Sequence, residues 1–276
     1  MRLLNILFIP LLFTYSCADL RTKTSKKELN EEKATQLLIA MGEAHGIANW
    51  DKIDTYTVQF EDQFYGKIGK KANPYPDSLT QFELSYIPKT FDGRLTFTNG
   101  AWSSKLWGIQ AWNTYTLAEN GIAELHKNKD AYFWIPTYQY FIEFPSRIQE
   151  ATAISYAGER TINGVVCDGI IASWGTTKPQ KKIDQYLIWS ARDTKRIYKL
   201  EYTIREVMSF IKGAVYFKDY VEYNGILIPS ALPVESNLIK DGYMHVMRIK
   251  NFRPNIFSFE ELRPLKHLEK NGDKKP

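Results

Sequence analysis

The chain has 276 residues, a formal net charge of +5, 44% hydrophobic residues and 24% charged residues. This ordinary globular balance excludes a wholly disordered chain, a collagen and a polytopic membrane protein. Two cysteines, Cys17 and Cys167, and four histidines are too few for a disulfide scaffold or a Cys/His zinc module, and no basic stripe points to nucleic acid.

The chain opens with Arg2 ahead of an apolar run from Leu3 to Phe13. That run is too short for a bilayer core, which needs about 20 helical residues. A cation, a short apolar stretch and a small residue make the pattern of a secretory signal peptide. Ser16 and Cys17 follow, which resembles the bacterial lipoprotein signal, where the cysteine is acylated and becomes the new N-terminus. The reading is a signal peptide over residues 1–16 and a lipidated tether over residues 17–25, with Cys17 as the lipid attachment site. An ordinary signal peptide with a chance cysteine is the alternative. Cys167 is then expected to be a buried, unpaired thiol, since lone cysteines often behave as small hydrophobes.

Ser25 stands three residues before Glu28, the spacing of a capping box. Leu29, Ala34, Leu37, Leu38 and Met41 follow at helical intervals, which predicts one amphipathic helix from Lys26 to Ala44. His45 lies near its end, where a cation is favourable. From Trp50 the period changes to two. Tyr56, Val58, Phe60 and Phe64 alternate with polar residues, and Asp62 is the one polar residue on the apolar side. Phe82, Leu84 and Tyr86 continue the pattern, as do Leu95 and Phe97. Asn99-Gly100, Asn120-Gly121, Asn163-Gly164 and Asn224-Gly225 are tight-turn signals between such runs. Further strands are predicted at 112–118, 122–127, 154–159, 165–174, 183–190, 197–205, 214–223, 227–229, 232–239 and 243–252. One segment, 130–149, breaks the meander. Its aromatic residues, with Pro136 and Pro145 interrupting, predict one or two short helices laid across the sheet. Tight turns make antiparallel neighbours, and a sheet this long curls. Its apolar face must enclose either a packed helix or a cavity.

No Gly-rich phosphate loop, nucleophile elbow or His-Glu-x-x-His run occurs, so no catalytic residue, cofactor or metal site is assigned. His245 stands in a strand beside Met244 and Val246 and reads as structural. Asp184, Glu201 and Asp219 fall on different predicted strands. Strand spacing alone leaves open a carboxylate pair of the kind that hydrolyses glycosides.

The informative feature is the aromatic content, 14% of the chain with 17 Tyr, 15 Phe and 7 Trp. The face Tyr198, Leu200, Tyr202 and Ile204 joins the faces Tyr56, Val58, Phe60 and Phe82, Leu84, Tyr86. One helix does not cover them all, so a ligand or the segment with Phe133, Trp134 and Phe141 is expected to complete the cover. Mostly apolar concavities are how small-molecule sites are built. Stacking of sugars on Trp102, Trp107 and Trp112 is the competing use.

The order of a lipoprotein signal, one helix with Gly42 and Gly46, then Trp50-Asp51-Lys52-Ile53 leading into a meander, resembles the LolA/LolB-like lipoprotein-carrier superfamily, in particular lipoproteins of Bacteroidetes type. Ile162-Asn163-Gly164-Val165, Ile183-Asp184-Gln185-Tyr186-Leu187-Ile188-Trp189, Tyr202-Thr203-Ile204-Arg205 and Tyr223-Asn224-Gly225-Ile226-Leu227-Ile228-Pro229 carry the same pattern. The resemblance implies an unclosed half-barrel around helices, a hydrophobic cavity for acyl chains, and carriage of lipids or lipoproteins without covalent chemistry.

The expectation is therefore a mainly β protein, a curved antiparallel half-barrel wrapped around an N-terminal helix and an inserted helical segment. It forms a single domain over 26–260 with a polar tail over 261–276. The expected function is a lipid-anchored periplasmic or outer-membrane protein, not an enzyme. It binds an acyl chain through Tyr56, Val58, Phe60, Phe82, Leu84, Tyr86, Phe133, Trp134, Phe141, Tyr198, Leu200 and Tyr202. A lipid or acylated ligand and the membrane are the expected partners. A glycan-binding surface lipoprotein is the alternative, and an enzyme with a carboxylate site the third reading.

Overall fold

The computed structural model describes residues 17–268; the expected signal peptide, residues 1–16, and the end of the tail, 269–276, lie outside them. In chain order the strands are β1 (Tyr56–Phe64), β2 (Leu79–Tyr86), β3 (Gly93–Phe97), β4 (Leu106–Gln110), β5 (Asn113–Leu117), β6 (Ala123–Leu125), β7 (Ala153–Ile162), β8 (Val165–Ser173), β9 (Gln185–Ala191), β10 (Ile197–Thr203), β11 (Lys212–Tyr216), β12 (Lys218–Tyr223), β13 (Ile226–Ser236) and β14 (His245–Pro254). They form one 14-stranded antiparallel sheet in the order β6-β5-β4-β3-β2-β1-β14-β13-β11-β10-β9-β8-β7, with β12 paired to β13 outside that path. The sheet is curved and open, so β6 and β7 are edges.

The helices are α1 (Lys23–Lys27), α2 (Glu31–Ala44), α3 (Gly66–Ala72), α4 (Lys129–Ile142), α5 (Phe144–Arg147) and α6 (Phe259–Leu262). Alternation sets the sheet faces: Tyr56, Val58, Phe60 and Phe64 point into the main core with Phe82, Leu84 and Tyr86. Ala34, Leu38 and Met41 of α2 and Ala131, Ile135 and Tyr138 of α4 fill the same core. A smaller cluster on the other face joins Leu20, Cys167, Ile171, Leu187, Trp189 and Tyr216. Cys167 is buried there outside any disulfide, and burial pushes its thiol up to about 11.

Several expectations are corrected. The first helix is two helices. Thr22 caps α1 by accepting from the Ser25 amide, and Asn30 caps α2 by accepting from the Lys33 amide, so Ser25 and Glu28 form no capping box. Leu29, in the break between them, is exposed. The expected tether is docked: the Thr22 hydroxyl donates to Ala157 O (2.7 Å) and the Tyr156 amide to Asn30 O (3.0 Å). This covers the edge strand β7, whose unpaired backbone would otherwise invite another chain. The expected tail begins as α6, with Leu262 and Leu265 buried and Gln110 bonded to both the amide and the carbonyl of Leu265.

Asn163-Gly164 and Asn224-Gly225 have positive φ at both positions, as a two-residue type I′ hairpin requires. Asn99-Gly100 is not such a hairpin; it opens a short 3-10 turn before β4. The run 214–223 breaks at Phe217 into β11 and β12, whereas 227–229 and 232–239 merge into β13, which runs through Pro229 and Pro233. β4 and α3 had no counterpart among the predicted elements. Helix α4 continues through Pro136. The Thr137 hydroxyl donates back to Phe133 O (2.6 Å), supplying one more bond in the turn where proline lacks an amide hydrogen.

His45 is not a cation at a helix end. It is 1% exposed; Nδ1–H donates to Met41 O (2.7 Å) and Nε2 accepts from the Ile197 amide (3.3 Å). Burial pulls its pKa from 6.5 down to about 4. The neutral ring therefore supports the fold fully above about pH 6.5, and that support fades as pH falls towards 4, where the unfolded chain takes up a proton that the folded one refuses. The loss reaches about 2 kcal/mol by pH 5. Urea unfolding of wild type and His45→Gln at pH 7 and pH 5 checks this. The variant is expected to be less stable at pH 7 with a shallower fall to pH 5; parallel falls would contradict it.

Candidate functional site

Helix α4 lies on the concave face over β1–β5, and buried polar groups fix where. Asp62, fully buried on the apolar side of β1, accepts the Tyr138 hydroxyl (2.8 Å) and His245 Nδ1–H (2.8 Å). The Tyr75 hydroxyl lies 2.8 Å from that of Tyr138 and donates to it, because Tyr138 has given its own proton to Asp62. Immediately after α4, Glu143 accepts from the Tyr56 hydroxyl (2.8 Å), Gln139 Nε2 (2.7 Å) and the Lys89 amide (3.0 Å), and pairs with Arg147 (2.9 Å). Tyr86 donates to Ile135 O (2.8 Å). Buried carboxylates without partners would be costly, so these bonds hold the helix in one position.

The other side of α4 is not closed against the sheet. A cleft of about 580 Å³ runs between α4 and β9–β11, β13 and β14. Phe133, Trp134, Thr137, Tyr140 and Phe141 form its helical wall; Tyr186, Tyr202, Gly213, Ser236 and His245 form its floor. The rings brace one another across it. Tyr140 stacks on Tyr186 (5.6 Å between centroids), Phe141 meets Tyr202 edge-on (5.3 Å) and Trp134 meets His245 edge-on (5.7 Å). Gly213 pairs with Tyr202 across the strands, and a Cβ there would collide with the Tyr202 ring. Burial pushes the phenols of Tyr140, Tyr186 and Tyr202 up, so they stay neutral. Burial also raises the Asp184 carboxyl, which accepts from the Thr203 hydroxyl and the Arg205 amide. The walls are thus mostly apolar, with Asp184, Glu206 and Glu235 as the carboxylates among the lining residues.

The structure brings Phe133, Trp134, Phe141 and Tyr202 together at this cleft. It places Tyr56, Val58, Phe60, Phe82, Leu84 and Tyr86 beneath α4, no more than 3% exposed. There Phe60 stacks on Phe82 (5.2 Å) and packs on Tyr138 (4.7 Å). Leu200 is likewise core. Tyr198 leaves the predicted face altogether: the register of β10 against β9 shifts between Ile197 and Lys199, and this bulge turns Tyr198 to the opposite face, against Tyr216 (5.9 Å).

Trp112 is a wall residue that strand periodicity missed. It sits with Ala111 in the two-residue turn joining β4 and β5, where both have positive φ (48° and 61°). No Gly or Asn marks that turn. Buried Asp92 holds it by accepting the Ala111 amide (2.8 Å), and Arg263 holds Asp92 (2.7 Å). The turn sets the Trp112 ring against Phe91 (5.1 Å) and Tyr132 (5.5 Å) at the cleft. Trp102 and Trp107 pack elsewhere, against Phe97, so the three tryptophans form no row for a sugar. Nor do the three carboxylates meet. Glu201 accepts from Trp189 on the other face (3.0 Å), Asp219 is exposed beyond β11, and only Asp184 reaches the cleft. Among the described residues no His, Cys, Asp and Glu group could hold a metal ion, and no helix is long and apolar enough to cross a membrane.

No protein-family model and no curated protein matches the chain. Solved structures do. A putative outer membrane lipoprotein-sorting protein domain from Vibrio parahaemolyticus superposes with a TM-score of 0.56 at 11% identity, covering 85% of this chain and 98% of that one. A LolA superfamily protein from Nitrosomonas europaea superposes with a TM-score of 0.53 at 10% identity, covering 81% and 94%. At such identities the likeness is one of architecture: an open, curved antiparallel sheet around helices, the LolA-like fold.

Proposed function

We propose that this protein binds an acyl chain or a similar apolar ligand in the cleft beside α4, and that it does so as a lipid-anchored protein of the cell envelope without catalysing a reaction. The observation that carries the reading is the cleft itself. Its volume of about 580 Å³ lies in the range of about 300–1,000 Å³ typical of small-molecule sites, and its walls are mostly apolar. Each methylene buried there contributes about 0.8 kcal/mol. The fold likeness to a lipoprotein-sorting domain supports the same reading, as does the acylation pattern ending at Cys17. The resemblance to lipoproteins of Bacteroidetes type rests on the sequence pattern alone, and hand-over of the ligand to a second carrier is a further part of the proposal.

Filling the cleft separates this role from core packing. Thr137 is half-buried on the cleft side of α4; Thr137→Trp should weaken saturable uptake of a fluorescent fatty-acid analogue about tenfold or more while costing only about 1 kcal/mol of stability for the lost bond to Phe133 O. Phe60→Ala should do the reverse, costing about 3–5 kcal/mol of stability with uptake by the folded fraction unchanged. Equal uptake by wild type and Thr137→Trp would remove the cleft as the site. For the anchor, Cys17→Ser should release the protein from membranes and abolish incorporation of a labelled fatty acid; equal labelling of both forms would contradict acylation at Cys17.

A further inference from the structure

We infer that the open end of the cleft lies against an anionic membrane surface, in an orientation set by the docked N-terminal segment. The inference goes beyond ligand binding and stands whatever the cleft carries. Residues after Cys17 do not hang free. The Ala18 amide donates to Ser209 O (2.9 Å), and Arg205, itself 7% exposed, donates to Ala18 O (2.7 Å), to Gln185 Oε1 (3.3 Å) and to Ser209 O. Leu20 is inserted among Trp189, Tyr216 and Cys167. Adjacent Cα atoms are about 3.8 Å apart, so Cys17 is held beside the 204–211 loop.

That same loop is the cleft rim. Ile204, Val207 and Ile211 line the cleft, while Val207 and Met208 are about half exposed (48% and 50%). The 237–244 loop is sewn to it, because Asn237 bonds the Lys212 amide (2.9 Å) and Phe210 O (3.1 Å), and it adds Leu238, also exposed and lining the cleft. Helix α3 closes the rim through Gly69 packed on Met244 O and the Tyr65 amide donating to that oxygen (2.9 Å). It contributes Ile68 to the cleft and carries exposed Lys67, Lys70 and Lys71. With Lys240 these cations outnumber Glu206 and Asp241 on the same three segments. Apolar tips set among lysines are what an anionic lipid surface takes up: the tips enter the acyl boundary, the lysine stems lie along it and the ammonium groups meet the headgroups. An acyl chain on Cys17 would enter the bilayer from the same side.

The test is sedimentation of the chain from residue 17, which contains every element of the described fold, carrying Cys17→Ser so that no acyl anchor contributes. Vesicles of phosphatidylcholine mixed with equal parts phosphatidylglycerol are compared with phosphatidylcholine alone. Binding is expected to the anionic vesicles and to weaken at about 0.5 M salt. Met208→Asp and the pair Lys70→Glu, Lys71→Glu should each cut it about fivefold or more. Ile122→Asp, which alters an exposed apolar residue on the β5–β6 connection, should leave it unchanged. No binding by wild type, undiminished binding by the rim variants, or an equal loss in Ile122→Asp would overturn the inference. Uptake of the fatty-acid analogue without vesicles, measured on the same proteins, separates the two claims. Rim-dependent vesicle binding without uptake leaves this inference standing and removes the ligand; uptake without vesicle binding does the reverse.

Discussion

The seat of α4 on the sheet is the constraint on which the cleft beside it depends. Packing alone would let an aromatic helix slide along an aromatic sheet. Two buried carboxylates prevent that, Asp62 reaching up from β1 to Tyr138 and His245, and Glu143 gathering Tyr56, Gln139, Lys89 and Arg147 at the other end of the helix. A half-satisfied buried charge is strongly unfavourable, so any shift of α4 that breaks one of these bonds is opposed. The helix is thereby drawn down over β1–β5 and leaves its flank facing β9–β14. Rings on that flank meet rings of the strands in pairs, Tyr140 on Tyr186 and Phe141 on Tyr202, and the cleft opens beside them.

The cleft is then shaped by departures from regular structure. The bulge at Tyr198 removes one large ring from the concave face, and Gly213 gives the Tyr202 ring room to lie across β11. The Ala111-Trp112 turn, held by Asp92, brings an indole to the wall at the cost of two residues in a backbone region that side chains rarely adopt. On the far side of the sheet, the docked segment after Cys17 covers the β7 edge and ties the N-terminus to the rim of the cleft, so edge protection and orientation come from one stretch of chain.

Strand alternation made the fold legible. β1 and β2 show a period of two, and Asn163-Gly164 and Asn224-Gly225 mark the β7–β8 and β12–β13 hairpins by the backbone angles those residues tolerate. β4 was hidden because its turn uses Ala111 and Trp112, which carry no turn signature. Tyr198 was misplaced because one inserted residue reverses every side chain before it relative to those after. The helix break at Asn30 depended on bonds to β7, which no local pattern reports. The site was legible only in part, for the same reason. Phe133, Trp134, Phe141 and Tyr202 meet at the cleft, but whether Tyr56 or Phe60 lies under the helix or beside it depends on where α4 comes to rest. The one sequence clue to that was Asp62, polar and in phase with an apolar face; its partners are 76 and 183 residues away along the chain.

The central claim is that the flank of α4 and the facing strands hold an apolar ligand. Mass spectrometry of organic extracts from protein purified out of a bacterial envelope tests it most directly. The account predicts an acyl-bearing molecule at near-stoichiometric amount in wild type and its loss when the cleft is filled by Thr137→Trp. An extract with no apolar ligand, or the same ligand in equal amount from both proteins, would contradict it.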